Sequence, residues 1–166
     1  MNIAVLTISD TRTTTNDTSG DYLVTAMQES HHVVPTRKIV RDDIYAIRAT
    51  VSMWISDDQI EVIVTTGGTG FGGRDSTPEA LIPLFDKQID GFGELFRFLS
   101  YSDIGTSTIQ SRALAGFANG TFIFALPGST GACRLAWEQI LVEQLDESFR
   151  PCNFAELISN LKSPTS

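Results

Sequence analysis

Two clusters in the chain combine residue types and spacing suited to phosphate chemistry. Residues 65–81 read TTGGTGFGGRDSTPEAL, with Gly67, Gly68, Gly70, Gly72 and Gly73 leading into Arg74 and Asp75. Glycine lacks a Cβ, so so bare a backbone lets a ligand approach closely, and outward-facing amides bind an anion without a side-chain charge. Arg74 supplies a guanidinium that pairs with phosphate, and Asp75 a carboxylate that binds Mg2+, itself a bridge to another phosphate. The second cluster, Asp42-Asp43, follows one apolar run and precedes an amphipathic one. At neighbouring strand ends, one of these carboxylates would lie near Asp75. Two carboxylates beside a phosphate-cradling loop suit magnesium-dependent nucleotide chemistry, in which positioning and charge neutralisation supply most of the catalysis. Structural uses compete: the glycines also suit a tight turn with positive φ, and either aspartate is a good N-cap.

Other chemistries fit less well. Gly68, Gly70 and Gly73 have the spacing G-x-G-x-x-G. A dinucleotide fingerprint, however, belongs to the first strand-helix turn and has its helix starting inside the motif, whereas here the helix signals begin near Thr77-Pro78. No Lys-Ser or Lys-Thr follows the glycines, which excludes a P-loop. A nicotinamide-dependent oxidoreductase is therefore a weak alternative. Cys133 and Cys152 lack the clustered spacing of a zinc site or a redox pair and read as two free thiols. His31 and His32 are adjacent, and neighbours in either regular structure point in different directions, which argues against chelation. No transition metal is assigned.

The elements that must position these residues follow from apolar periodicity. Residues 3–8 form a β-rich run, and a polar segment leads from Ser9 to a helical pattern through Tyr22, Leu23, Ala26 and Met27. Residues 33–40 read as a second strand, and Ile44, Ile47, Val51, Trp54 and Ile55 mark a second helix. Residues 62–66 are a third strand. After the glycine loop, Thr77 suits an N-cap, Pro78 the first helical position, and Ser76 with Glu79 a capping box. Phe92, Leu95, Phe96 and Leu99 give a further helix an apolar face, and residues 113–117 suggest the start of another. Residues 121–126, TFIFAL, form a last buried strand, PGSTG a loop, and residues 132–145 a helix. This alternation implies an α/β fold with a largely parallel sheet covered by helices on both faces. Ligands of such sheets sit at the carboxyl ends of strands, where the loops starting at Ser9, Arg41, Gly67 and Pro127 would converge.

With 166 residues the chain suits one domain, placed at 1–160, with a flexible tail at 161–166. A net charge of −8 disfavours general attraction to nucleic acid or to an anionic membrane. The opening MNIAVLTISD reads as a buried strand and not as a secretory signal, which points to the cytoplasm. Residues 113–133 are uncharged and long enough to span a bilayer, but Asn119, Gly120, Pro127, Gly128, Ser129 and Gly131 make them a strand with loops.

The glycine run, together with ISD ending at Asp10, DTSG at 17–20, GFGELFR at 91–97, SRALAG at 111–116 and LPGS at 126–129, resembles the MoaB/Mog family of molybdenum-cofactor biosynthesis proteins. The similarity spans nearly the whole chain, with IGTSTIQSRA and RPCNF nearest to the bacterial MoaB branch. It implies a three-layer α/β/α fold, a homo-oligomer (trimer or hexamer), and adenylylation of molybdopterin by ATP and Mg2+ with release of pyrophosphate. The two carboxylates of the family's catalytic signature map onto Asp42 and Asp75, which would also hold Mg2+; a shift of one residue would replace Asp42 by Asp43. The resemblance further implies that Gly67, Gly68, Thr69, Gly70 and Arg74 contact ATP phosphates or the pterin, and that Ser9, Asp10, Ser111, Arg112, Gly128 and Ser129 line the same cleft. Some members of the MoaB branch lack the carboxylates and are inactive, whereas this chain keeps both. A catalytically silent molybdopterin-binding or assembly protein, working with other proteins of the pathway, is the alternative.

Overall fold

Three runs rich in β-branched and aromatic residues lack polar alternation: β1 (Ile3–Ile8), β3 (Val62–Thr66) and β6 (Thr121–Leu126). Every residue in all three is buried, as strands covered on both faces require. In the computed structural model, which describes residues 1–162, they form the middle of a six-stranded sheet of order β2-β1-β3-β6-β5-β4. β2 (Arg37–Val40), β1, β3 and β6 run parallel. β5 (Leu114–Ala118) and the two-residue β4 (Lys87–Gln88) complete one edge in antiparallel pairing.

Alternate residues of the central strands feed two cores. On one face Ile3, Val5, Val64, Phe122 and Phe124 pack with Leu23 and Met27 of α1 (Thr18–Glu29), Phe92 and Phe96 of α4 (Asp90–Ile104), and Trp137, Ile140 and Leu141. Across the sheet Ala4, Leu6, Ile63, Ile123 and Ala125 pack with Ile47, Val51 and Trp54 of α2 (Ile44–Ile55) and with Ala80 and Leu81 of α3 (Thr77–Leu81). The result is the expected three-layer α/β/α arrangement. The short helix α7 (Phe154–Lys162) stacks Phe154 on Phe122, with ring centroids 4.8 Å apart. The tail expected at 161–166 begins inside this helix, and residues 163–166 lie outside the described residues. Among the described residues no helix is long and apolar enough to cross a membrane.

The structure departs from the expected elements in four places. The second strand shrinks from 33–40 to Arg37–Val40, with Val33 reduced to an isolated bridge to Asn2. Pro35 explains the break, since it has no N–H for the ladder. Residues 113–117 enter β5 instead of a helix, because Asn119-Gly120 turns the chain back into β6. Both turn residues have positive φ, 48° and 87°, as a tight hairpin requires. The helix expected over 132–145 begins earlier, at Thr130, and is interrupted: α5 (Thr130–Ala136) passes into a π turn (Trp137–Leu141) before α6 (Val142–Gln144). Finally, Ser76 and Glu79 form no capping box. Ser76 precedes α3 without a side-chain cap bond, and its hydroxyl is drawn to Asp42 instead.

At the start of the fold Asp17 joins three elements. Its buried carboxylate caps α1 by accepting from the Gly20 N–H at 3.1 Å, accepts from the Thr7 hydroxyl on β1 at 2.7 Å, and pairs with Arg37 on β2 at 2.6 Å. Gly20 is required here: a Cβ would stand 2.2 Å from an Asp17 carboxylate oxygen.

Candidate functional site

The loops after β1, β2, β3 and β6 converge on a cleft of about 560 Å³ at the carboxyl end of the parallel strands. Ser9, Asp10, Asp42, Gly67, Gly68, Thr69, Gly70, Arg74, Asp75, Ser111, Gly128 and Ser129 all line it. β2 and β3 are not neighbours, as β1 lies between them, but their loops still meet. Ser76 donates to one Asp42 carboxylate oxygen through its N–H at 3.1 Å and its hydroxyl at 2.8 Å. Burial raises the Asp42 carboxyl above the usual aspartate range against these two bonds, and the charges of Asp75 and Asp10 add to the rise.

The neighbouring aspartates separate cleanly by role. Asp43 caps α2, accepting from the Tyr45 N–H at 3.0 Å and the Ala46 N–H at 2.8 Å, and is absent from the cleft wall. Asp43→Ala is therefore expected to cost about 1 kcal/mol, the usual value of an N-cap. Urea denaturation should show that loss while ligand binding stays intact. Asp10 sits between the two clusters. It receives a two-point bond from Arg74, at 2.9 and 2.8 Å, and its oxygen also accepts from the Asp42 N–H at 3.3 Å. The Arg74 bond holds the Asp10 carboxyl below its ordinary range. The guanidinium expected to meet phosphate thus already has a carboxylate partner.

The glycine loop needs its missing side chains at two points above all. Gly67 has φ 107° and a Cβ there would lie 2.1 Å from the Ile8 carbonyl; Gly68 has φ 65° and its Cβ would meet Thr77 Oγ1 at 2.4 Å and Asp42 at 2.7 Å. Four of the loop amides serve the fold: Gly67 N–H donates to the Leu126 carbonyl at 3.0 Å, Gly72 N–H to the Asp75 carboxylate at 2.6 Å, Asp75 N–H to the Gly72 carbonyl at 3.0 Å and Ser76 N–H to the Asp42 carboxylate at 3.1 Å. Among the described residues the N–H groups of Gly68, Thr69, Gly70, Phe71, Gly73 and Arg74 have no intramolecular acceptor, and the three consecutive ones of Gly68, Thr69 and Gly70 lie on the cleft wall, open to an anion. The helix after the loop begins only at Thr77, eleven positions beyond the end of β3, unlike a dinucleotide fingerprint.

Three expected contacts act differently from plain ligand groups. The Ser9 hydroxyl accepts from the Thr11 and Arg12 N–H groups and shapes its own turn, and the Ser129 hydroxyl caps α5 through Ala132 N–H. Arg112 lies outside the cleft wall and holds the glycine loop from behind. Conversely, Phe96, Ser100 and Ile104 of α4 line the cleft with Gln110 and Ala132, none of which stood out in the sequence as a site residue, and with Pro127, whose loop did. Their spacing of four along α4 is the available signal, and it is indistinguishable from an ordinary core stripe.

Comparison with known proteins agrees with this fold. Residues 4–147 match the family described as a probable molybdopterin binding domain. The molybdenum cofactor biosynthesis protein B of Escherichia coli K12 is 57% identical over 152 residues, covering 92% of this chain and 89% of that protein. A crystal structure of a molybdenum cofactor biosynthesis protein B superposes with a TM-score of 0.87 at 38% identity, covering 96% of this chain and 94% of the other. The tungsten cofactor synthesizing protein MoaB of Pyrococcus furiosus does so with a TM-score of 0.77 at 32% identity, covering 97% and 94%. The fold, the cleft and a likeness that runs the length of the domain place this chain in the MoaB/Mog family.

Proposed function

We propose that the cleft joins molybdopterin to ATP in molybdenum cofactor biosynthesis, the pathway for which the 57% identical relative is named. A terminal phosphate oxygen of molybdopterin attacks the α-phosphorus of ATP. The new phosphoanhydride bond forms as the bond from that phosphorus to the bridging oxygen of the β-phosphate breaks, and the electron pair leaves with pyrophosphate. The product is adenylyl-molybdopterin. The observation that carries this reading is the convergence of Asp42 and Asp75 on one cleft beside three unengaged backbone amides.

Each group has a definite task. The N–H groups of Gly68, Thr69 and Gly70 hold phosphate oxygens, and the absence of side chains lets them come close. Asp42 and Asp75 fit Mg2+, which takes one or two hard carboxylate ligands and keeps the rest of its shell for water and substrate phosphates. The raised carboxyl of Asp42 supports that fit, because a cation would relieve the crowding of negative charge with Asp75 and Asp10. When bound, the cation offsets charge on the reacting phosphates. Arg74 meets phosphate by leaving Asp10, an exchange that costs little at so exposed a pair. Ile104, exposed at the cleft, gives it an apolar surface on which the pterin ring packs.

In the same reading the protein is a cytoplasmic homo-oligomer, a trimer or hexamer. Support comes from Leu95, Phe98 and Tyr101, which expose large apolar surface along one helix. The deciding measurement is pyrophosphate release and adenylyl-molybdopterin formation by purified protein with molybdopterin, ATP and Mg2+. Metal-dependent product supports the adenylyltransferase; bound molybdopterin without product supports the silent binding protein.

A further inference from the structure

The loop residues that carry Asp75 include three glycines in six positions, 70–75, and glycine loses more conformational freedom on ordering than any other residue. Such a segment does not hold a carboxylate in place by its own preferences. One side chain closes it. Arg112 donates from Nε to the Gly70 carbonyl at 2.9 Å and from Nη2 to the Asp75 carbonyl at 3.1 Å, so a single guanidinium ties together both ends of the arc. Its own N–H donates to the Thr69 carbonyl at 3.2 Å, Nη1 pairs with Glu79 on α3, and its guanidinium carbon lies 5.1 Å from the ring centroid of Phe71 at the loop tip.

Resting on the adenylyltransferase reading, we propose that Arg112 is a positioning residue for the reaction: it touches no ligand and sets Asp75 by fastening the glycine arc. The side chain is only 23% exposed and does not line the cleft. The neighbouring Asp75 and Gly72 groups close a smaller ring inside the arc, with Gly72 N–H on the Asp75 carboxylate and Asp75 N–H on the Gly72 carbonyl at 3.0 Å. That inner ring fixes the carboxylate relative to the arc, and Arg112 fixes the arc relative to the fold. Phe71 and Glu79 orient the guanidinium from its face and its outer edge. A lysine keeps the charge but cannot reach two carbonyls and a carboxylate at once, because it lacks the planar fork.

The test compares wild type, Arg112→Lys and Glu79→Gln in steady-state adenylylation, with amide hydrogen exchange over residues 70–75 measured on the same preparations. Arg112→Lys is expected to lower kcat by about 10²-fold, the scale of a misplaced catalytic group, with KM for ATP and for molybdopterin nearly unchanged. Exchange in the arc should rise, while exchange in β3 and α4 stays as in wild type. Glu79→Gln should leave both carbonyl bonds and most of kcat in place. A rise in KM at constant kcat would overturn the inference by making Arg112 a ligand contact, and unchanged exchange in the arc would overturn it by removing the fastening. A wild-type protein without turnover would instead refute the adenylyltransferase reading, and the exchange comparison would still decide whether Arg112 fastens the arc.

Discussion

Asp75→Asn is expected to lower adenylylation by roughly 10³-fold, on the scale of losing one preorganised electrostatic group, while the fold is kept. The amide oxygen still accepts from Gly72 N–H, and the backbone bonds to Gly72 and Arg112 do not involve the side chain. What disappears is a negative charge that Asp42 cannot replace, since Asp42 faces the cleft from another loop and has two bonds to Ser76. The measurement is pyrophosphate release across a Mg2+ titration, with thermal unfolding as the check on the fold. Near-normal turnover at saturating Mg2+ would remove Asp75 from the reaction. Asp42→Asn gives the informative companion. Because folding holds the Asp42 carboxyl above its ordinary range, ionising it in the native state costs stability as pH rises through that range. The amide should therefore be as stable as wild type at neutral pH, or slightly more so.

Asp17→Ala is expected to cost about 3 kcal/mol of stability, the lower end for breaking a buried ion pair. For a chain of this size that is a fall in Tm of roughly 10 °C. The lower end applies because Arg37 keeps 27% exposure and a second partner in Asp21, while the Thr7 hydroxyl and the Gly20 N–H lose their acceptor. The pH dependence has a definite sign. Burial pushes the Asp17 carboxyl up, but the bonds from Arg37, Thr7 and Gly20 outweigh it and hold it below its ordinary value. A carboxylate depressed in the native state binds protons more readily when unfolded, so its contribution is present at neutral pH and lost as pH falls through the native value. Urea denaturation from neutral to acid pH should show wild type losing stability down that limb and Asp17→Ala losing much less. Parallel acid limbs would mean that Asp17 is not the group responsible.

The central sheet and the cleft-lining loops were legible because their signals are local. Buried strands read as unbroken apolar runs, and parallel strands put the loops after them on one side. The hairpin at Asn119-Gly120 was equally local in origin, and reading residues 113–117 as helical missed it. The choice between Asp42 and Asp43 turned on one residue of phase, which the sequence left open; the structure gives Asp43 the capping bonds and puts Asp42 on the cleft wall. The sequence reading gave Arg112 a cleft contact and missed its bonds to the glycine loop. Its partners at Gly70, Asp75 and Glu79 are 42, 37 and 33 positions away, beyond any local pattern. The place of Ile104 on the cleft stayed hidden for another reason: an apolar residue on a helix looks the same in sequence whether it faces a core or a cleft.

If the cleft takes ATP as proposed, Asp10, between the loops of Asp42 and Arg74, bears on which form of the nucleotide enters it. Three carboxylates, Asp10, Asp42 and Asp75, stand against one arginine on its wall, Arg74, so with all of them ionised the mouth carries two unbalanced negative charges. A bare polyphosphate approaching it meets net repulsion, whereas the same polyphosphate carrying a divalent cation brings the compensating charge with it. Raising ATP beyond the available Mg2+ should therefore slow the protein only by withdrawing the complexed nucleotide, with metal-free ATP a poor competitor.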